Sequence, residues 1–184
     1  MTEQAQLILE QCPNPGLAVD IGANDGTFLS NTIDLERLGW RVLCIEPNPY
    51  YGVDLWASRK EVVVGACGKE NAPALFFAVE TSNNKYAAHS SLKHKQEAMV
   101  FEVQVKTLDW YLEQWGVPQL DVLCADVEGG EEDILLGFDL AKWKPKVICL
   151  ESWEAGNKYG HMLPGYTLVK EVQDDRLYLR NDEI

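Results

Sequence analysis

Two short stretches of the chain concentrate residues that can do chemistry. In Val19-Asp20-Ile21-Gly22-Ala23-Asn24-Asp25-Gly26, an aspartate and two glycines stand where an apolar run hands over to a polar loop. Open α/β sheets bind ligands at such junctions, just past the carboxyl ends of their strands. Gly22 and Gly26 allow a tight turn and a close approach of the backbone to a ligand. The second stretch, Asp126-Val127-Glu128-Gly129-Gly130-Glu131, follows another apolar run in the same way. Asp126 and Glu128 are candidate catalytic groups, able to take a proton or to ligate Mg²⁺, an ion that prefers carboxylate oxygen. A plainer role for Glu128 is to cap the helix opened by Gly129-Gly130-Glu131, where negative charge is favourable. Glu151 and Glu154 follow a third run, so carboxylates from adjacent strand ends can converge on one cleft.

A third signal says which ligand suits the first loop. Glu46, in Cys44-Ile45-Glu46-Pro47-Asn48, ends the second apolar run twenty residues after Gly26. An acidic side chain there accepts the hydroxyls of a ribose. The loop reads D-x-G-x-x-x-G, not the dinucleotide G-x-G-x-x-G, and Asp20 would meet a pyrophosphate unfavourably. The pattern fits S-adenosylmethionine, with its amino-acid end over the glycine loop, its ribose on Glu46 and its sulfonium near carboxylates. The donor-binding set is then Asp20, Gly22, Asn24, Gly26 and Glu46, with Asn48 and Ala66 beside the next strand ends. Methyl transfer from a sulfonium is an in-line displacement, so positioning supplies much of the rate. A hydroxyl acceptor gains further from a base or from a divalent metal. His161, in Tyr159-Gly160-His161-Met162-Leu163-Pro164, is a third candidate for acceptor activation, or else a plain surface histidine. Ser90, Ser91, Glu151 and Trp153 are candidate acceptor contacts.

These groups must be positioned by the elements between them. Apolar runs at 17–21, 41–45, 62–66, 120–125 and 146–150 alternate with helical stretches. Short buried strands separated by helices indicate an α/β fold, a parallel sheet covered on both faces. A helix is expected over 25–38, stopped by Gly39, and a short one near 51–58. Strands at 75–79 and 100–105 flank a polar insertion, 80–98, that carries His89, His94, Lys85, Lys93 and Lys95. A polar stretch of that length is a lid, a binding loop or a disordered tip. Its lysines either attract an anionic acceptor or are simply solvated. Residues 166–172 and 176–179 flank Gln173-Asp174-Asp175 as a closing antiparallel hairpin.

The chain has 184 residues, read as one domain over 1–184 with an N-terminal helix or extension at 1–16. Sixteen basic against twenty-nine acidic residues give a net charge of −13, which disfavours nucleic acid and anionic membrane surfaces as partners. No apolar run approaches the roughly 20 residues of a membrane span, and residues 1–11 lack the pattern of a secretory leader. The five cysteines are dispersed and form no CxxC pair, so a reducing cytoplasm is expected. Acceptor recognition falls to the insertion, to the loop at 153–164 or to a second subunit, so a homo-oligomer is an open alternative.

Taken together, Val-Asp-Ile-Gly-Ala-Asn-Asp-Gly, Ile-Glu-Pro-Asn-Pro, Lys106-Thr107-Leu108-Asp109 and Asp126-Val127-Glu128-Gly129-Gly130-Glu131 resemble the FkbM family (methyltransferase 21). The resemblance runs from about residue 17 to 180. It implies a class I S-adenosylmethionine-dependent methyltransferase fold, Rossmann-like, with seven core strands of which the last is antiparallel. It also implies O-methylation of a hydroxyl on a sugar, glycan or other small natural product. Ser90-Ser91 resembles a serine pair the family often shows. The family's fourth motif carries a basic residue before the aspartate, where this chain has Ala125. Two other classes compete: a non-catalytic protein that binds the donor or serves in assembly, and an NAD-type oxidoreductase, disfavoured by the missing third glycine.

Overall fold

The computed structural model describes residues 1–79, 90–93 and 98–183. Its strands in chain order are β1 (Leu17–Ile21), β2 (Arg41–Glu46), β3 (Glu61–Val64), β4 (Ala66–Cys67), β5 (Ala72–Val79), β6 (Ala98–Lys106), β7 (Val122–Ala125), β8 (Val147–Glu151), β9 (Tyr166–Val172) and β10 (Asp175–Arg180). The helices are α1 (Glu3–Gln11), α2 (Ile33–Arg37), α3 (Gly52–Ser58), α4 (Leu108–Gln114), α5 (Glu131–Leu136) and α6 (Leu140–Trp143). Seven strands form one sheet in the order β3-β2-β1-β7-β8-β10-β9, and β4, β6 and β5 form a second. The strands from β3 to β8 run parallel, while β10 is antiparallel to both β8 and β9.

Every position of β1 is buried, as a central strand packed on both faces requires. Alternate side chains go to opposite sides. Leu17, Val19 and Ile21 join Leu43, Ile45, Leu123 and Ile148 in a core closed by Leu108 and Leu112 of α4 and Ile134 of α5. Ala18, Val42, Cys44, Cys124 and Cys149 face the other way, under Ile8 of α1, Leu35 of α2 and Leu55 of α3. Helices therefore cover both faces, as expected. Leu→Ala at a fully buried position such as Leu123 costs about 2–5 kcal/mol.

Two expectations change. The helix predicted over 25–38 is only α2, because polar side chains capture the backbone ahead of it. Asp25 Oδ1 accepts from the amides of Thr27 (2.8 Å) and Phe28 (2.7 Å), and Ser30 Oγ accepts from the amide of Ile33 (3.1 Å). Such local bonds compete with the helical ladder. The apolar run at 62–66 splits at Gly65 into β3 and β4, so one run serves both sheets. The strands expected at 75–79 and 100–105 are β5 and β6, paired antiparallel from Ala72↔Val105 to Val79↔Ala98. Most of the insertion between them, including His89, His94, Lys85 and Lys95, lies outside the described residues. Among the described residues, no helix is long and apolar enough to cross a membrane.

Candidate functional site

The chain leaves β1 for β2 on one side and later returns to β7 on the other, so a crevice opens between the ends of β1 and β7. The two strand ends nearly touch. The Asp126 amide donates to the Ile21 carbonyl at 2.9 Å, and a Cβ added to Gly22 (φ +83°) would lie 1.8 Å from the Asp126 carbonyl oxygen. Gly22 is thus required first by its own protein's backbone. Gly26 is likewise pressed against Ser58 and Arg59.

Asp20 lies on the face toward α2 and α3 and is held in a buried network. Its Oδ2 accepts from Thr32 Oγ1, from Ser30 Oγ at 3.4 Å and from Arg59 Nη1 at 3.5 Å. The Arg59 guanidinium is fully buried and also donates to Glu36 Oε2 at 2.6 Å and to the Gly26 carbonyl at 3.2 Å. Sequence reasoning missed Arg59: a single arginine after a short helix carries no signal that it turns inward. This network fixes the 22–32 loop, and Asp20 also borders the larger of two cavities.

The smaller cavity, about 120 Å³, lies between β1, β2, β4 and the loop after β7. Ile21, Ala66, Cys67 and Phe76 give it apolar walls, with Glu46 at one side and Ser90, Ser91 and Lys93 at another. Glu46 is 6% exposed. Its Oε2 accepts from the Asn24 amide (2.9 Å) and its Oε1 from the Asn48 amide (2.7 Å). Burial pushes its carboxyl up to about 7, against the pull of those two amides. Ser91 is buried, and its hydroxyl donates to the Glu128 carbonyl at 3.2 Å.

The larger cavity, about 630 Å³, shares Gly22, Asp126 and Glu128 with the smaller one. Carboxylate oxygens of Asp126, Glu128 and Glu151 lie within 4.8 Å of one another. A hard divalent cation could bridge that spacing. Asp126 opens to cavity water but is densely surrounded by protein on its other sides. Desolvation, then the charges of Glu151 and Glu128, push it up to about 9. Glu151 is raised too, chiefly by burial, although Trp153 Nε1 donates to it at 2.7 Å. Trp153 (65% exposed) and Phe28 (47%) stand at the cavity wall. Seven lining residues are Asp or Glu, and none of the described ones is Lys, Arg or His.

The model of the methyltransferase FkbM domain matches residues 20–170, the greater part of the chain. The chain belongs to the FkbM methyltransferase family. No curated protein matches it. Among solved structures, the methyltransferase FkbM of Methylobacillus flagellatus KT superimposes with a TM-score of 0.59 at 18% identity, over 90% of this chain and 43% of that one. The present chain thus spans less than half of that protein's length, and the likeness is one of fold.

In this FkbM-family chain the remaining candidates divide. Gly22, Asn24, Asp126, Glu128, Glu151 and Trp153 meet at the larger cavity, and Glu46, Ala66, Ser90 and Ser91 at the smaller. Asn48 is buried and contributes its amide to Glu46. His161 is not brought in: it lies exposed on a turn of 3₁₀ helix at Gly160–Met162, its Nδ1 3.1 Å from the Lys158 carbonyl, and borders neither cavity. Glu154 is also exposed and pairs with Lys158 at 3.3 Å. In the loop ahead of α5, Glu131, the first residue of that helix, reaches back and its Oε1 accepts from the amides of Val127 (3.1 Å) and Gly129 (3.2 Å).

Proposed function

We propose that this chain is an S-adenosylmethionine-dependent methyltransferase acting on a hydroxyl of a sugar, glycan or other small natural product. The observation that carries the reading is the junction of the two cavities at the ends of β1 and β7, with Glu46 in one and the Asp126–Glu151 pair in the other. Bound across that junction, the donor would supply an electrophilic methyl group on a sulfonium sulfur. The residues present fit it. Each Glu46 oxygen accepts one amide and keeps a lone pair for a ribose hydroxyl. Ile21, Ala66, Cys67 and Phe76 suit a purine face. The acid lining of the larger cavity suits a cation.

The chain's own groups then handle the acceptor. The carboxyl oxygens of Asp126 and Glu151 lie within 4.8 Å of each other, and whichever of the two is ionised takes the hydroxyl proton as the new bond forms. Trp153 and Phe28 offer flat apolar surfaces to a sugar or polyketide. A lining with seven acids favours uncharged or cationic acceptors over anionic ones. Mg²⁺ is a second reading for the same oxygens, supported by their mutual spacing within 4.8 Å, and the proton step does not depend on it. All five cysteines are buried and free, which suits a cytoplasmic protein.

Calorimetry with S-adenosylhomocysteine tests the reading. Saturable binding is expected, and Glu46→Ala, checked as folded by circular dichroism, should weaken it about tenfold, the scale of one hydrogen bond to a charged group. Absence of saturable binding to the native chain overturns the proposal.

A further inference from the structure

The three carboxylates of the proposed site come from two strand ends, and one buried pair of side chains connects those ends. Asp126 and Glu128 ride on the loop after β7, whereas Glu151 ends β8. Glu131, 1% exposed at the first position of α5, points back under that loop and takes the amides of Val127 and Gly129 on its Oε1. Tyr159, fully buried, donates its hydroxyl to the Glu151 carbonyl at 2.7 Å and reaches Glu131 Oε2 at 3.3 Å. Its phenol is pushed up by burial and then by the Glu131 charge, so it remains a donor at any working pH.

Two more backbone groups of the loop are paired. The Asp126 amide goes to the Ile21 carbonyl, and the Glu128 carbonyl accepts from Ser91 Oγ. Glu128 itself sits at φ +60°, a left-handed conformation uncommon for residues other than glycine. Amides anchored on both sides, at Val127 and Gly129, hold it there. Nothing in this arrangement requires Glu131 or Tyr159 to touch a ligand: neither borders either cavity.

We infer that Glu131 and Tyr159 form a buried clamp that sets the position of Asp126 and Glu128 relative to Glu151, and thereby the site's preference for a cation at the reacting sulfur. They are positioning residues. The inference rests on the donor reading above, because the readout is discrimination between two donor analogues. Sinefungin carries an amine, cationic at neutral pH, in place of the methylated sulfur, whereas S-adenosylhomocysteine carries a neutral thioether there. Carboxylates correctly placed prefer the cation, while a general loss of folding weakens both analogues alike.

The test is calorimetry of both analogues against the native chain and three variants. The native chain should bind sinefungin about tenfold more tightly than S-adenosylhomocysteine, the scale expected for one charge-assisted contact. Tyr159→Phe and Glu131→Ala should reduce that ratio to within about twofold of unity, while S-adenosylhomocysteine affinity stays within about threefold. Glu131→Gln keeps a carbonyl oxygen for the two amides and should retain most of the ratio. A native chain that binds neither analogue overturns the donor reading, and this inference with it. Binding of both with a ratio unchanged in Tyr159→Phe and Glu131→Ala, or a native ratio of unity, overturns this inference alone.

Discussion

Two groups of carboxylates lie close together at the ends of the central strands, and they are treated in opposite ways. Asp20 and Glu36 share a fully buried arginine, Arg59, and the hydroxyls of Ser30 and Thr32 complete their partners. Asp126 and Glu151 face each other, and the neighbours that act most on Asp126 are further acids: Glu151, Glu128 and Asp175. The first group is balanced and shapes a loop. The second is held under mutual repulsion beside an open cavity. A buried acid with its own arginine serves architecture, whereas acids crowded together at a cavity wall are ready to accept a proton or a cation from a ligand.

The largest expected effect comes from breaking the balanced group. Arg59→Met should cost about 3–5 kcal/mol in urea unfolding, because it leaves two carboxylates buried beside an apolar side chain. A loss under about 1 kcal/mol would mean that Glu36 and Asp20 find water, and the contrast between the groups would collapse. The unbalanced group should respond with the opposite sign. Asp126, in that group, is raised to about 9, and Glu46, buried at the smaller cavity, to about 7, both above their unfolded values. Between about pH 4.5 and 9 the folded chain therefore holds more protons than the unfolded one, and stability falls as pH rises through that window. Asp126→Asn offers a hydrogen-bond donor toward Glu151 and carries no charge. It should recover about 1 kcal/mol of the drop between pH 6 and 8, roughly half the full linkage because Asp126 opens to cavity water. Unfolding midpoints at the two pH values decide this, and a steeper drop in the variant would reverse the assignment of repulsion. The smallest effect is expected outside both groups. His161→Ala should change stability by less than about 0.5 kcal/mol and S-adenosylhomocysteine affinity by less than about twofold. A larger change in affinity would return that loop to the site.

Much of the sheet is legible from local pattern. β1 coincides with the expected strand, and β2, β7 and β8 differ from it by one or two residues, because fully buried strands read as continuous apolar runs. The stretch after Gly22 is less legible. A helix from Asp25 looks natural in sequence, yet Asp25, Ser30 and Thr32 spend their side chains on loop amides and on Arg59 and Asp20. Those partners lie up to 39 residues apart, out of reach of any window on the chain. Glu131 had a faint signal, an acid at the first position after two glycines, but Glu128, just before the same glycines, competed for the role at the helix start.

By itself the sequence determined that this is an α/β chain with a glycine loop after its first strand, an acid ending its second and an acidic motif after a later one. Those features depend on residue type and short spacing, which the chain carries locally. Tertiary structure alone decided which acids are balanced and which are not. That outcome depends on where Arg59 is buried, on Glu131 and Tyr159 joining the ends of β7 and β8, and on Gly22 letting the ends of β1 and β7 close to contact. Charge and hydrogen bonding act through distances of a few ångströms, and folding sets those distances between residues far apart along the chain.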